Sequence, residues 1–167
     1  MLNDHSNGSC RVPAARIDVR LPHAWNYIRE VRTRVQEMLA GADEELRSAA
    51  MMTVSELIEN AVKYGEGVSG APDIIVSCCS EGGEVRIIVS NGCQDSTGIR
   101  RLQERIQQIT STEDKEALYM ARLEELLADA TQSGSLGLYR IAFEGRFELQ
   151  ATLARSVVTV CATRRYA

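Results

Sequence analysis

The sequence has no excess of positive charge and no stretch where lysine and arginine accumulate. Its 19 Lys and Arg residues face 23 Asp and Glu residues, so the formal net charge is −4 at pH 7. Proteins that bind nucleic acid neutralise its phosphates with clustered basic side chains. Because this chain offers no such cluster, we expect no nucleic-acid partner.

The cysteines lack the spacing of a metal site or a disulfide framework. No two of them form a CxxC pair, their number is odd, and two are adjacent within an apolar run: Cys10, Cys78, Cys79, Cys93 and Cys161. Disulfides persist mainly outside the reducing cytoplasm, and structural zinc sites use paired ligands. We therefore expect reduced thiols in a cytoplasmic protein.

Long apolar runs are absent as well. No run approaches the roughly 20 residues of a membrane-spanning helix, and the first eight residues lack the apolar segment of a signal peptide. The 167 residues are 44% hydrophobic, which is enough for one globular domain with a core. We expect a flexible N-terminal tail over residues 1–15, a single domain over residues 16–167, and no membrane association.

Hydrophobic periodicity predicts ten elements in the order β-α-α-β-β-α-α-α-β-β. Residues 16–21 alternate as a strand does, and helical spacing follows in residues 23–40 and 43–64. The remaining segments are predicted hairpins and helices: strands 73–79 and 84–90, two helical pieces within 98–130, a helix at 138–143, and strands 147–153 and 157–161. This order predicts an α+β two-layer sandwich, with a mixed, mostly antiparallel sheet and helices packed on one face.

The most informative motif lies on the second predicted helix. Glu56, Asn60 and Lys63 fall within roughly 60° of one another around the helix axis. The opposite side of the helix is apolar: Met51, Val54, Ile58 and Ala61. An acid, an amide and an ammonium in one column suit a metal and a phosphate chain, although a solvated helix face would also explain them.

Two further motifs follow this column in a characteristic order. A glycine turn, Ser90-Asn91-Gly92, ends the second strand of the first hairpin, and Ser133-Gly134-Ser135-Leu136-Gly137-Leu138-Tyr139 opens a later helix. Together with the E-x-x-x-N spacing of Glu56 and Asn60, they resemble the GHKL fold, the histidine-kinase-like ATP-binding fold of histidine kinases, gyrase and MutL. The greatest similarity is to the bacterial anti-sigma factor serine kinases and their partner-switching relatives.

The resemblance implies an ATP and Mg²⁺ site. Asn60 would hold Mg²⁺ through its side-chain oxygen, Glu56 would act as general base, and Lys63 would face the phosphates. The other residues implied to bind the nucleotide are Asn91 and Gly92 near adenine, and Gly134, Leu136 and Gly137 around the phosphates. Backbone N–H groups at a helix N-terminus favour such anions.

One departure from the family affects the adenine side. The family has Asp-x-Gly-x-Gly after the second strand, and its aspartate accepts a hydrogen bond from the adenine amino group. Here either Ser90 or Asn91 takes the place of the aspartate, and Gln94 replaces the second glycine. A charged acceptor contributes about 1.5–3 kcal/mol and a neutral one about 0.5–1.5, so ATP affinity is expected to fall roughly tenfold.

Two functions follow from the resemblance. The first is an ATP-dependent serine/threonine protein kinase that acts on a small regulatory partner, such as an anti-sigma antagonist or a sigma factor. The second is a degenerate, non-catalytic member of the fold that serves as a protein–protein interaction module. The fold often dimerises in this group, so a homodimer is also implied. An unrelated α+β domain with accidental motif matches remains as a third explanation.

Overall fold

Five strands and five α-helices form the described part of the chain, which is residues 14–22, 25–65, 73–93, 95–128 and 136–166 of a computed structural model. The strands are Ala15–Leu21 (β1), Ile74–Glu81 (β2), Glu84–Gly92 (β3), Glu148–Ala154 (β4) and Val157–Arg165 (β5). The helices are Ile28–Met38 (α1, after a 3-10 turn at Trp25–Tyr27), Glu44–Tyr64 (α2), Ser96–Ser111 (α3), Lys115–Ala128 (α4) and Leu136–Phe143 (α5). The predicted order of elements is therefore confirmed.

The five strands form one sheet in the order β1-β2-β3-β5-β4, and every neighbouring pair is antiparallel. The predicted α+β architecture is right, but the prediction of a mixed sheet is wrong for the described strands. A single crossover helix returns the chain parallel to the strand that it left. Two helices, α1 and α2, connect β1 to β2, so the chain enters β2 in the opposite direction.

One face of the sheet carries the hydrophobic core. Alternate residues of β2 and β3 are buried on this face, and they pack with buried side chains of the helices. The residues between them are half-buried or exposed on the other face. Helices thus cover one face, as predicted, and any side chain in register with the buried residues points towards them.

Helix α2 is the central element of the helical layer. Its N-cap is Asp43, whose carboxylate accepts a hydrogen bond from the backbone N–H of Leu46 at 2.7 Å. Val54 and Ile58 are fully buried against the sheet, and burying a side chain of this size stabilises a fold by roughly 1.5–3 kcal/mol. The helix ends at its C-cap Gly65, as the sequence predicts. This packing fixes the side of α2 that remains available for a site.

The two hairpin turns differ in the residues that adopt positive φ. Gly82 and Gly83 take φ of 60° and 77° in the β2–β3 turn, as tight hairpins require. In the β4–β5 turn, Arg155 and Ser156 take φ of 48° and 63°, where a side chain is disfavoured. The carbonyl of Ser156 accepts the N–H of Cys93 at 2.8 Å, so this strained turn holds the end of β3 in place.

None of the helices in the described part of the chain has the length and hydrophobicity that a membrane crossing demands. The predicted N-terminal tail lies outside the described residues except for Ala14 and Ala15, and Ala15 already belongs to β1.

Candidate functional site

A cavity of about 410 Å³ lies beside the C-terminal half of α2, at the end of β3 and under α3. Ligand sites typically occupy roughly 300–1,000 Å³. Its apolar lining comes from the helices and the sheet: Leu57, Val89, Ile99, Leu102, Leu138 and Val158. Its polar lining includes Asn60 and Lys63 from α2 and Asn91 from β3. Three residues singled out in the sequence are therefore neighbours around one cavity.

Helix α2 places Asn60 and Lys63 at this cavity because the other side of the helix is buried in the core. Val54, Ile58 and Ala61 are buried as predicted, while Asn60 is half-buried and Lys63 exposed. A spacing of three residues keeps the amide and the ammonium on one face of the helix. The amide oxygen and the cation can thus approach the same ligand.

Ser90 and Asn91, the two candidates for the place of the family's aspartate, lie on opposite faces of the sheet at the end of β3. The Ser90 hydroxyl forms a hydrogen bond of 2.8 Å with the Thr159 hydroxyl, and Ser90 lies on the face away from the helices. Asn91 is in register with the buried Val89, is only 6% exposed, and lines the cavity. Its side-chain N–H donates to the carbonyl of Gly92 at 3.0 Å. Asn91 rather than Ser90 is the polar side chain of β3 at the cavity.

The predicted glycine loop is described only in part. Gly134 lies outside the described residues. Leu136 and Gly137 form the first turn of α5 and are half-buried, and Gly92 is buried at the end of β3. The residues that line the cavity include none of these three, whereas Leu138 from α5 does line it. The predicted contact of this loop with phosphates stays a prediction.

Glu56 faces α5 rather than the cavity. Its Oε1 accepts a hydrogen bond from Nη1 of Arg140 at 3.2 Å, and Nε of Arg140 donates to Oε2 of Glu144 at 2.9 Å. The hydroxyl of Tyr119 donates to the other oxygen of Glu144 at 3.0 Å. The predicted general base is thus part of an ion-pair network that joins α2, α4 and α5.

Two opposing influences act on the Glu56 carboxyl. Burial raises its pKa, and the neighbouring Glu59 carboxylate raises it further, while the Arg140 guanidinium partly opposes both. Raised carboxyl pKa values occur in acid–base sites and in structural ion pairs alike, and Glu56 lies against α5 rather than in the cavity. The geometry alone therefore leaves both roles open for Glu56.

Gly137 explains how Glu56 fits so closely against α5. A Cβ at this position would collide with Oε2 of Glu56 and would lie 3.0 Å from its Cδ. The glycine therefore makes room for the carboxylate at the first turn of α5. Gly137 is thus in close contact with Glu56, and its predicted contact with phosphates stays a prediction.

Among the described residues, the cavity carries more positive than negative side chains. Lys63, Arg101 and Arg105 line it, and Asp95 is the one carboxylate of this part of the lining. The Asp95 side chain caps α3 by accepting the N–H of Thr97 at 2.9 Å. Sequence reasoning missed the two arginines, whose four-residue spacing on an amphipathic helix was the available signal. An anionic ligand suits this arrangement.

No protein-family model matches the chain, and no curated protein matches it either.

A magnesium ion fits the site only as a companion of a phosphate ligand. Among the described residues, no three His, Cys, Asp or Glu side chains come together to hold a metal. Mg²⁺ commonly takes one or two oxygens from the protein and completes its shell with phosphates and waters. Asn60 at the cavity offers one side-chain oxygen of this kind.

Proposed function

We propose that this protein is a small regulatory protein whose GHKL-like domain binds ATP, with Mg²⁺, in the cavity between α2, β3 and α3. One observation carries the proposal: Asn60 and Lys63 from α2 meet Asn91 from β3 around one cavity. These residues belong to two sequence motifs about 30 positions apart. A chance match of motifs gives no reason for them to converge.

The chemistry of the lining supports this assignment. The apolar side chains offer a surface for a flat base, and Asn91 offers an amide oxygen as a neutral acceptor for an exocyclic amine. The cations offer attraction for phosphates. Mg²⁺ would neutralise part of the phosphate charge, with Asn60 as its protein oxygen. The neutral Asn91 predicts a weaker adenine contact than an aspartate would provide.

Phosphoryl transfer to a serine or threonine of a small regulatory protein is the second candidate function. The raised pKa of Glu56, one turn before Asn60, favours it, because a general base works best with a pKa near the working pH. The Glu56–Arg140 ion pair favours the alternative, a non-catalytic interaction module that binds the nucleotide without using it. A partner of the anti-sigma antagonist or sigma factor class is proposed for both, and the chain is proposed to be cytoplasmic.

Calorimetric titration with Mg-ATP tests the nucleotide site. We expect saturable binding to the wild type and at least roughly tenfold weaker binding to Asn60→Ala, because a charge-assisted contact is lost. Gln36→Ala is the matched control, since Gln36 is an exposed amide on α1 that does not line the cavity. Absence of heat with the wild type at millimolar Mg-ATP would refute the proposal.

Kinase activity requires a separate assay. The protein is incubated with labelled ATP and candidate sigma-antagonist proteins, and label on the partner is measured. Transfer that disappears in Glu56→Gln while ATP still binds would establish the kinase. Binding without transfer to any candidate would favour the interaction module.

A further inference from the structure

Two arginines of α3 lie at the boundary of two cavities. Arg101 and Arg105 line the cavity described above, and they also line a second one of about 550 Å³ between α3, α4 and α5. A ligand seated in the first cavity can therefore extend towards both guanidinium groups. Both side chains thus border the two cavities.

These two arginines have no anionic partner in the described part of the chain. Two nearby carboxylates have other partners: Glu125 pairs with Arg122 at 2.6 Å, and Asp95 caps α3. Glu104 and Glu125 line the second cavity with the two arginines, yet neither arginine forms an ion pair or hydrogen bond with any described residue. Two guanidinium groups that border a cavity are thus available to a ligand.

The spacing of the pair has a cost that an anion would remove. Residues four apart lie side by side on a helix, and like charges at this spacing destabilise it by a few tenths of a kcal/mol. A bound anion between the two groups attracts both of them, and this attraction outweighs their mutual repulsion. Guanidinium groups also present a planar fork of donors that matches phosphate oxygens in pairs. Phosphate is therefore the anion that the pair suits best.

We propose that Arg101 and Arg105 bind the phosphate chain of the nucleotide, so that the cavity selects nucleoside polyphosphates over nucleosides. This inference rests on the proposed function and adds the residues that recognise the phosphates. Lys63 of α2 lines the same cavity and adds a third positive charge to it.

The test compares adenosine, ATP and inorganic tripolyphosphate as calorimetric ligands. In the wild type we expect ATP to bind much more tightly than adenosine. In the double variant Arg101→Gln/Arg105→Gln we expect ATP to lose at least about tenfold in affinity for each arginine, and adenosine to be unchanged. Replacement by lysine keeps the charge but not the fork, and is expected to restore only part of the loss.

Arg100→Gln is the matched control, because Arg100 lies on the same helix, is exposed, and lines neither cavity. It is expected to leave the preference for ATP in place. Equal losses of ATP affinity in Arg100→Gln and the double variant would overturn the proposal, as would ATP binding that the double variant leaves intact.

Failure of the proposed function gives a different result. The wild type could bind neither adenosine nor ATP, yet bind tripolyphosphate in a way that the double variant abolishes. This result would support anion binding by Arg101 and Arg105 and would refute the nucleotide site. If no phosphate-bearing ligand binds the wild type, both proposals fall. Circular dichroism checks that each variant is folded, which is expected because Arg101 is exposed and Arg105 only half-buried.

Discussion

Nη1 of Arg140 donates to Oε1 of Glu56 across 3.2 Å, and this contact joins the last turn of α5 to the middle of α2. The same guanidinium also pairs with Glu144, which lies just past the end of α5. The Glu56 carboxylate that the GHKL resemblance assigns as general base is therefore held by a cation in this structure. Glu56 can act as a general base only if its hydrogen bond with Arg140 opens.

Replacing Arg140 is expected to raise the pKa of Glu56 further. Arg140 is the cation that lowers the pKa of Glu56 against the effects of burial and Glu59. In Arg140→Gln this effect is lost, so the Glu56 carboxyl holds its proton more tightly. Because Arg140 is 43% exposed, we expect a loss of only about 1 kcal/mol in the free energy of unfolding. Carbon-13 NMR of the glutamate carboxyls measures the pKa, and urea denaturation measures the stability.

Arg34→Gln is the control for this change, since Arg34 pairs with Glu30 at the exposed surface of α1. It is expected to alter stability by less than about 0.5 kcal/mol and to leave the pKa of Glu56 unchanged. A Glu56 pKa that is the same in Arg140→Gln and wild type would contradict the role of the ion pair.

The raised pKa of Glu56 also predicts a pH dependence of stability. The folded protein holds the Glu56 proton more tightly than the unfolded chain, whose glutamates titrate near about 4.3. As pH rises from that value through the raised folded pKa, Glu56 therefore lowers the free energy of unfolding. The stability of Glu56→Gln relative to wild type should rise over this window and level off above it. A relative stability that stays flat or falls from pH 4 to pH 8 would exclude the predicted shift.

Gly137 and Glu56 are expected to be energetically coupled. In Gly137→Ala the new Cβ forces the Glu56 carboxylate away from α5, which lowers stability. This loss opposes the higher helix propensity of alanine, which is worth up to about 1 kcal/mol. In a Glu56→Ala background the clash is absent, so the same substitution should stabilise the protein. Urea denaturation of the four proteins measures the coupling in a double-mutant cycle. A coupling energy near zero would show that Glu56 does not occupy this space.

The adenine side of the proposed site is tested by adding an aspartate. Asn91→Asp places a charged acceptor in the cavity and is expected to tighten ATP binding up to about tenfold. Ser90→Asp places the same charge on the other face of the sheet, beside Thr159, and should leave ATP affinity unchanged. Calorimetry compares the two variants. A gain in affinity from Ser90→Asp alone would reverse our assignment of the two positions.

The sequence allowed most of the fold to be predicted, because its signals are local. The alternation in β2 and β3 and the spacing in α2 reflect one buried face each, and the structure confirms those elements. The same alternation places Asn91 in register with Val85, Ile87 and Val89, so its orientation was available from the sequence. The antiparallel pairing of β1 with β2 was not predicted, since it depends on how two helices return the chain.

The contacts around the candidate site were less accessible from sequence. Glu56 and Arg140 are 84 positions apart, and no local pattern joins them. From the sequence alone, the spacing of Arg101 and Arg105 indicates only a solvated helix face. Their position beside two cavities depends on the packing of the helices. Gly137 was recognised as special, but its close neighbour is a carboxylate of α2, which only the packing of α5 on α2 determines.

The most direct test of the proposed nucleotide site is a titration of the nitrogen-15-labelled protein with Mg-ATP, followed by two-dimensional NMR. Binding in the proposed cavity predicts saturable shifts at Asn60, Lys63, Asn91 and the first turns of α3, much reduced in Asn60→Ala, with Arg86 on the opposite face of the sheet unaffected. No shifts at millimolar Mg-ATP, or shifts confined to residues away from this cavity, would contradict it.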